Sequence, residues 1–140
     1  MIEDVMKLMI VDDEELLTKL LRKIVESSFS GMFAIKTFND SELAANYIIE
    51  ENPSIVITDL IMPKIDGQEI LRIAKKQDKG IKVIVATADK TLTSSINCFM
   101  EGADNYVCKP IQPDDVIRAV NYCKQGLEHW NKIIKGKVRV

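Results

Sequence analysis

The sequence predicts a single α/β domain: a doubly wound, five-stranded parallel sheet with helices on both faces. Three observations predict it. Short apolar runs such as KLMIV (Lys7–Val11) and KVIVAT (Lys82–Thr87) are continuous rather than alternating, as in strands buried on both faces. Between them, apolar residues recur at helical spacing. Strand and helix then alternate five times at separations that require crossover connections, which makes the strands parallel.

The elements follow in order. KLMIV is the first strand and ends in Asp12-Asp13. Leu16, Leu17, Leu20, Leu21, Ile24 and Val25 form the stripe of the first helix, broken at Ser30-Gly31. FAIKTF is the second strand, and Ser41 caps a helix carrying Leu43, Ala44, Tyr47 and Ile48, which Asn52-Pro53 stops. SIVITD is the third strand. Gly67, read as a turn glycine, opens a helix with Ile70, Leu71 and Ala74, and Gly80 closes it. KVIVAT leads through a Thr/Ser-rich turn to a helix around Ile96, Phe99 and Met100, ending at Gly102. NYVCK is the fifth strand, with Cys108 expected in the core, and Pro113 suits the first turn of a last helix through Val116, Val120 and Cys123.

The bulk properties exclude several classes. The chain has 140 residues, 46% of them apolar and 29% charged, as in one ordinary globular domain. A net charge of -2 offers no general attraction for nucleic acid. Cys98, Cys108 and Cys123 form no CxxC pair and lie beside no histidine, so zinc is disfavoured and a reducing, cytoplasmic location is expected. Glu3 and Asp4 interrupt any signal peptide, and no apolar run is long enough for a membrane span.

In an open parallel sheet, ligands bind beyond the carboxyl ends of the strands. Those ends carry Asp12 and Asp13, Asp59, Thr87 and Lys109: three carboxylates, one hydroxyl and one ammonium around one crevice. Singly, each has an ordinary explanation, such as an acidic helix start for Asp12-Asp13 or a strand-end turn residue for Asp59. Together they call for a cation, because two unit charges 4 Å apart repel by about 4 kcal/mol at an effective dielectric of 20. Hard oxygen ligands suit Mg²⁺. Lys109 and Thr87 would then hold phosphoryl oxygens, and a carboxylate between metal and lysine is a reasonable nucleophile for phosphoryl transfer.

With IVDDE at the first strand end, TDLIMPKIDG around Asp59, VATAD at Thr87 and YVCKP at Lys109, the sequence resembles the receiver domain of two-component response regulators. The likeness covers nearly the whole chain and implies a flavodoxin-like fold with strand order 2-1-3-4-5. It implies Asp59 as phosphoacceptor and Asp12 and Asp13 as the metal pair, with the backbone carbonyl of Ile61 completing the protein's share. Lys109 would pair with the phosphoryl group and Thr87 would donate to it. Tyr106 matches an aromatic switch position, and Lys109-Pro110 a cis bond. Ile61 and Asp89 would border the route of the hydrolysing water, Ile61 shielding the acyl phosphate and Asp89 able to orient a water. The implied partners are a histidine kinase or phosphotransfer protein as donor, and a downstream protein or output domain on the face of helix four, strand five and helix five.

Two rival readings remain beside this one. An aspartate-nucleophile phosphatase of the haloacid dehalogenase type needs a second Asp two residues after the nucleophile, where Ile61 stands. A phosphate-independent adaptor would have no use for Asp59, Lys109 and Thr87. The receiver is expected over residues 5–125. Residues 126–140 form a C-terminal extension in which Leu127, Trp130, Ile133 and Ile134 lie near helical spacing among lysines. This extension is read as a continuation of the last helix with a solvated tail, or as a linker to an output domain or a partner-docking or homodimerising helix. No DNA-binding motif fits in it, so no direct nucleic-acid binding is expected of this chain. His129 is given no role.

Overall fold

Strands and helices alternate throughout the computed structural model, which describes residues 5–138. The strands are β1 (Met6–Val11), β2 (Phe33–Phe38), β3 (Ile55–Thr58), β4 (Lys82–Thr87) and β5 (Asn105–Cys108). The helices are α1 (Glu15–Ser28), α2 (Ser41–Glu51), α3 (Gly67–Lys76), α4 (Leu92–Met100) and α5 (Pro113–Val138). The sheet is parallel with order β2-β1-β3-β4-β5, as the resemblance implied.

The continuous apolar runs now have their reason. Leu8, Ile10, Ile55, Ile57, Ile84 and Val107 face α1 and α5, whereas Met9, Val11, Val56, Val83 and Val85 face α2, α3 and Cys98 of α4. Alternate side chains of each central strand thus enter different cores, and both must be apolar.

Several local expectations are corrected. In α1, only Leu21, Ile24 and Val25 of the leucine-rich stripe are fully buried, with Thr18, while Leu16 and Leu20 face outward. Asp40, not Ser41, caps α2: its carboxylate accepts from the amides of Glu42 and Leu43 and from Lys64 Nζ. Ser41 instead donates to the Pro63 carbonyl and accepts from Ile65 N, tying α2 to the β3–α3 loop. Asn52 stops α2 as expected, with φ at 43°. α3 ends at Lys76, before Gly80, and Gln77 caps it. α4 buries Cys98, while Leu92, Ile96, Phe99 and Met100 are exposed. Helix α5 continues unbroken past residue 125 to Val138.

At the amino ends of the strands, Asp104 acts as a fastening. Its carboxylate accepts from Val83 N and Lys75 Nζ, both at 2.8 Å, and its amide donates to the Val83 carbonyl. The end of α3, the start of β4 and the α4–β5 turn are joined there. No helix among the described residues is long and apolar enough to cross a membrane.

Candidate functional site

At the carboxyl edge of the sheet, three functional side chains occupy equivalent places. Asp12, Asp59 and Lys109 are each the first residue beyond a strand, and each backbone amide still bonds to a neighbouring strand. Asp12 N donates to the Phe38 carbonyl, Asp59 N to Val11 and Lys109 N to Thr87. Their backbones are therefore as fixed as the sheet, and their side chains share the crevice above it. The expectation that Lys109 belongs to β5 shifts by one residue, because the ladder ends at Cys108.

Lys109 Nζ lies 2.8 Å from Asp12 Oδ2 and 2.8 Å from Asp59 Oδ2. The remaining oxygens are held as well. Asp12 Oδ1 accepts from Glu14 N at 2.9 Å, and Asp59 Oδ1 accepts from Leu60 N at 2.7 Å. Asp12 and Asp59 are buried, whereas Asp13 is exposed at the rim. One carboxylate oxygen from each of the three aspartates lies within 4.8 Å of the others. Burial raises the Asp12 carboxyl above its ordinary range and the Asp59 charge adds to this, despite the bond from Lys109. Burial alone would lower Lys109, but its bonds to both carboxylates outweigh that and hold the ammonium above its usual value. Three oxygen donors against one shared ammonium leave negative charge uncompensated, and this donor set fits a hard divalent cation.

Thr87 ends β4, the strand between those leading to Asp59 and Lys109, and is fully buried, its Oγ1 accepting from the Asp89 amide at 3.3 Å. Tyr106 is half-buried, and its hydroxyl donates to the Asp89 carbonyl at 2.6 Å. The ring thus reaches the loop that carries Thr87. Ile61 projects outward, 71% exposed, beside the acceptor loop. The Lys109–Pro110 bond is cis.

Two expectations about the surroundings change. Gly67 is more than a turn glycine: a Cβ there would meet the Asp59 carbonyl oxygen at 1.9 Å. Its amide bonds to the Leu60 carbonyl at 2.8 Å, so bare backbone lies directly against the acceptor residue. Asp89 Oδ1 accepts from both the amide and hydroxyl of Thr91. Those bonds hold its carboxyl below the ordinary range. Cys108 is half-buried and lines a groove between β5 and α5 instead of joining the core.

One residue was missed. Asn39 donates to the Asp12 carbonyl at 2.9 Å and to Thr18 Oγ1 at 3.1 Å, holding the backbone of the first carboxylate. The strand-end rule, applied to β2 as to the others, points to Asn39-Asp40 immediately after Phe38.

Comparisons with known proteins agree with this geometry. The family model of the response regulator receiver domain matches residues 8–121. The chain is 39% identical to a probable transcriptional regulator, ycf27, of Guillardia theta, over 81% of this chain and 44% of that protein. It is 30% identical to the alkaline phosphatase synthesis transcriptional regulatory protein PhoP of Bacillus subtilis, over 79% of this chain and 45% of that one. The chain therefore spans less than half the length of these curated relatives. Among solved structures, a response regulator receiver domain protein from Clostridium thermocellum superposes with a TM-score of 0.81 at 28% identity, over 90% of this chain and 99% of that one. A receiver domain protein from Methanospirillum hungatei gives 0.78 at 26% identity, over 92% and 98%.

Proposed function

The chain belongs to the response regulator receiver domain family, and from that premise we propose that it is a phosphorylation-activated switch of a two-component system. It takes a phosphoryl group from a histidine kinase or phosphotransfer protein onto Asp59, in a Mg²⁺-dependent reaction. The observation that carries this reading is the Asp59 carboxylate, fixed by Leu60 N on one oxygen and Lys109 Nζ on the other, among two further carboxylates.

Asp12, Asp13 and Asp59, with the Ile61 carbonyl, would hold the Mg²⁺, which supplies positive charge to the transferring phosphoryl oxygens. The Asp59 oxygen facing Lys109 attacks phosphorus. A P–O bond forms as the donor's P–N bond breaks, and the histidine nitrogen keeps the electron pair. Lys109, kept charged by its two carboxylate partners, follows the negative charge from carboxylate to phosphoryl oxygen. Thr87 donates its hydroxyl to another phosphoryl oxygen. That draws in the loop whose Asp89 carbonyl receives the Tyr106 hydroxyl, which favours one arrangement of the output face. The face built by α4, β5 and α5 carries exposed Leu92, Phe99 and Tyr122, suited to a downstream protein, an output domain or a second copy.

Intact-mass spectrometry after treatment with acetyl phosphate and Mg²⁺ tests the reading. One phosphoryl group should add to the wild type and none to Asp59→Asn or to chelator-treated protein. An unmodified wild type, or a modified Asp59→Asn, would refute it.

A further inference from the structure

Helix α5 carries one seam through its whole length. Val116, Val120, Cys123, Leu127, Trp130 and Ile134 follow one another at alternating steps of four and three. The first half of the seam is buried on the sheet, with Val116 at 2%, Val120 at 0% and Cys123 at 1% exposure. The second half runs beyond the sheet, and there Trp130 is 56% and Ile134 55% exposed. They form one side of a groove of roughly 400 Å³ whose other side is Lys79, Gly80 and Lys82, at the amino end of β4.

The electrostatics select what fits. Residues 124–136 hold three lysines, Lys124, Lys132 and Lys135, and one acidic side chain, Glu128. Glu128 pairs with Lys124 and lines a different groove, beside Val5 and Met32. Across the groove, Lys79 is exposed and makes no ion pair among the described residues, and Lys82 Nζ is 3.8 Å from an Asp104 already bound by Lys75. Asp78 is the one acidic residue of that loop. A second copy suits the seam poorly, because Gly126 and Gly136 weaken the helix on which a coiled coil would rest. A concave apolar floor with a cationic rim matches an amphipathic helix whose polar face is acidic.

We propose that this groove docks an acidic amphipathic helix of a partner protein, at the end of the sheet opposite the carboxylate cluster. The site is independent of phosphorylation, and Trp130 is its central apolar anchor.

Trp130 is also the chain's single tryptophan, which gives a direct readout. The probe is a synthetic peptide of about five helical turns, with Leu and Phe on one face and Glu on the other. It should shift Trp130 emission to the blue saturably, and its affinity should fall with added salt. Lys79→Glu and Ile134→Ser, both at exposed positions, should each weaken binding at least tenfold. Asp59→Asn should leave it unchanged, which separates this site from the phosphorylation reading. Equal binding of the peptide with every Glu replaced by Lys would overturn the proposal. So would a blue shift with anionic phospholipid vesicles but not with the peptide. A concentration-dependent dimer in sedimentation, abolished by Ile134→Ser without peptide, would assign the groove to a second copy instead.

Discussion

At the residue scale, Lys109 and Asp13 have opposite parts in the same cluster. Lys109 bridges the two buried carboxylates from within and offsets part of their charge, whereas Asp13 adds a third negative charge from the rim and has no bond to the lysine. Removing Asp13 therefore removes a metal ligand and a source of repulsion at once. Asp13→Ala should lose Mg²⁺ binding in a calorimetric titration and lose phosphorylation, while its metal-free urea midpoint is unchanged or slightly higher. Unaltered Mg²⁺ affinity would exclude Asp13 as a ligand. Ile61 governs a different property. Its exposed, β-branched side chain stands beside the acceptor and cannot orient water, and one oxygen of the Asp89 carboxylate, Oδ1, is taken by Thr91. Ile61 itself offers a hydrolysing water no hydrogen bond. Ile61→Asn should then speed loss of phosphate about tenfold, or roughly 1.4 kcal/mol of barrier. The comparison is dephosphorylation of purified phosphoprotein in Mg²⁺, and a mutant no faster than wild type would refute the shielding.

At the element scale, the junctions hold the site more tightly than helix propensity requires. The start of α3 lies against β3 because Gly67 has no side chain, and a methyl group there would overlap the Asp59 carbonyl. Gly67→Ala should destabilise the domain by about 3 kcal/mol or more in urea denaturation, at the upper end for overpacking, and slow phosphorylation by displacing Asp59. The α2 junction is electrostatic. Lys64 first, and then the capped amides of Leu43 and Glu42, hold the Asp40 carboxyl below its ordinary range. A depressed carboxyl contributes stability that is present above its unfolded pKa and lost as pH falls through its folded pKa. The first turn of α2 should therefore fray as pH drops below about 4, seen as amide shifts of Glu42 and Leu43 by NMR. Asp40→Ala should remove that titration. The sequence announced the α2 start but assigned it to Ser41, because two adjacent residues are both good caps and only the tertiary bonds to Pro63 and Ile65 separate them. Gly67 likewise read as a turn, since a close backbone approach leaves no periodic trace.

At the scale of the whole molecule, the legible parts were those in which a residue type has one physical solution. Continuous apolar strands require burial on both faces, and the charged residues just beyond them share one edge of the sheet; hence the meeting of Asp12, Asp59 and Lys109 was legible in the sequence. Helix α4 was not, because its apolar residues Leu92, Ile96, Phe99 and Met100 turn away from the core, and periodicity reports a stripe without saying what covers it. Cys108 failed for the same reason at an edge strand. Three carboxylates gather at one edge of the sheet, so a bound divalent cation should stabilise the entire domain. At 100 times its dissociation constant, Mg²⁺ should add about 2.7 kcal/mol to unfolding, and Asp13→Ala should cancel this in thermal melts with and without the ion. Asp104 has a last, mechanical consequence. By clamping the α4–β5 turn to β4 and α3, it moors the far end of α4. The near end, at Thr91 and Leu92, is held by short surface bonds beside Thr87. Helix α4 is thus moored at its carboxyl end by Asp104, and its amino end, next to Thr87, is the end that a displacement of Thr87 should move first, carrying the outward apolar stripe with it.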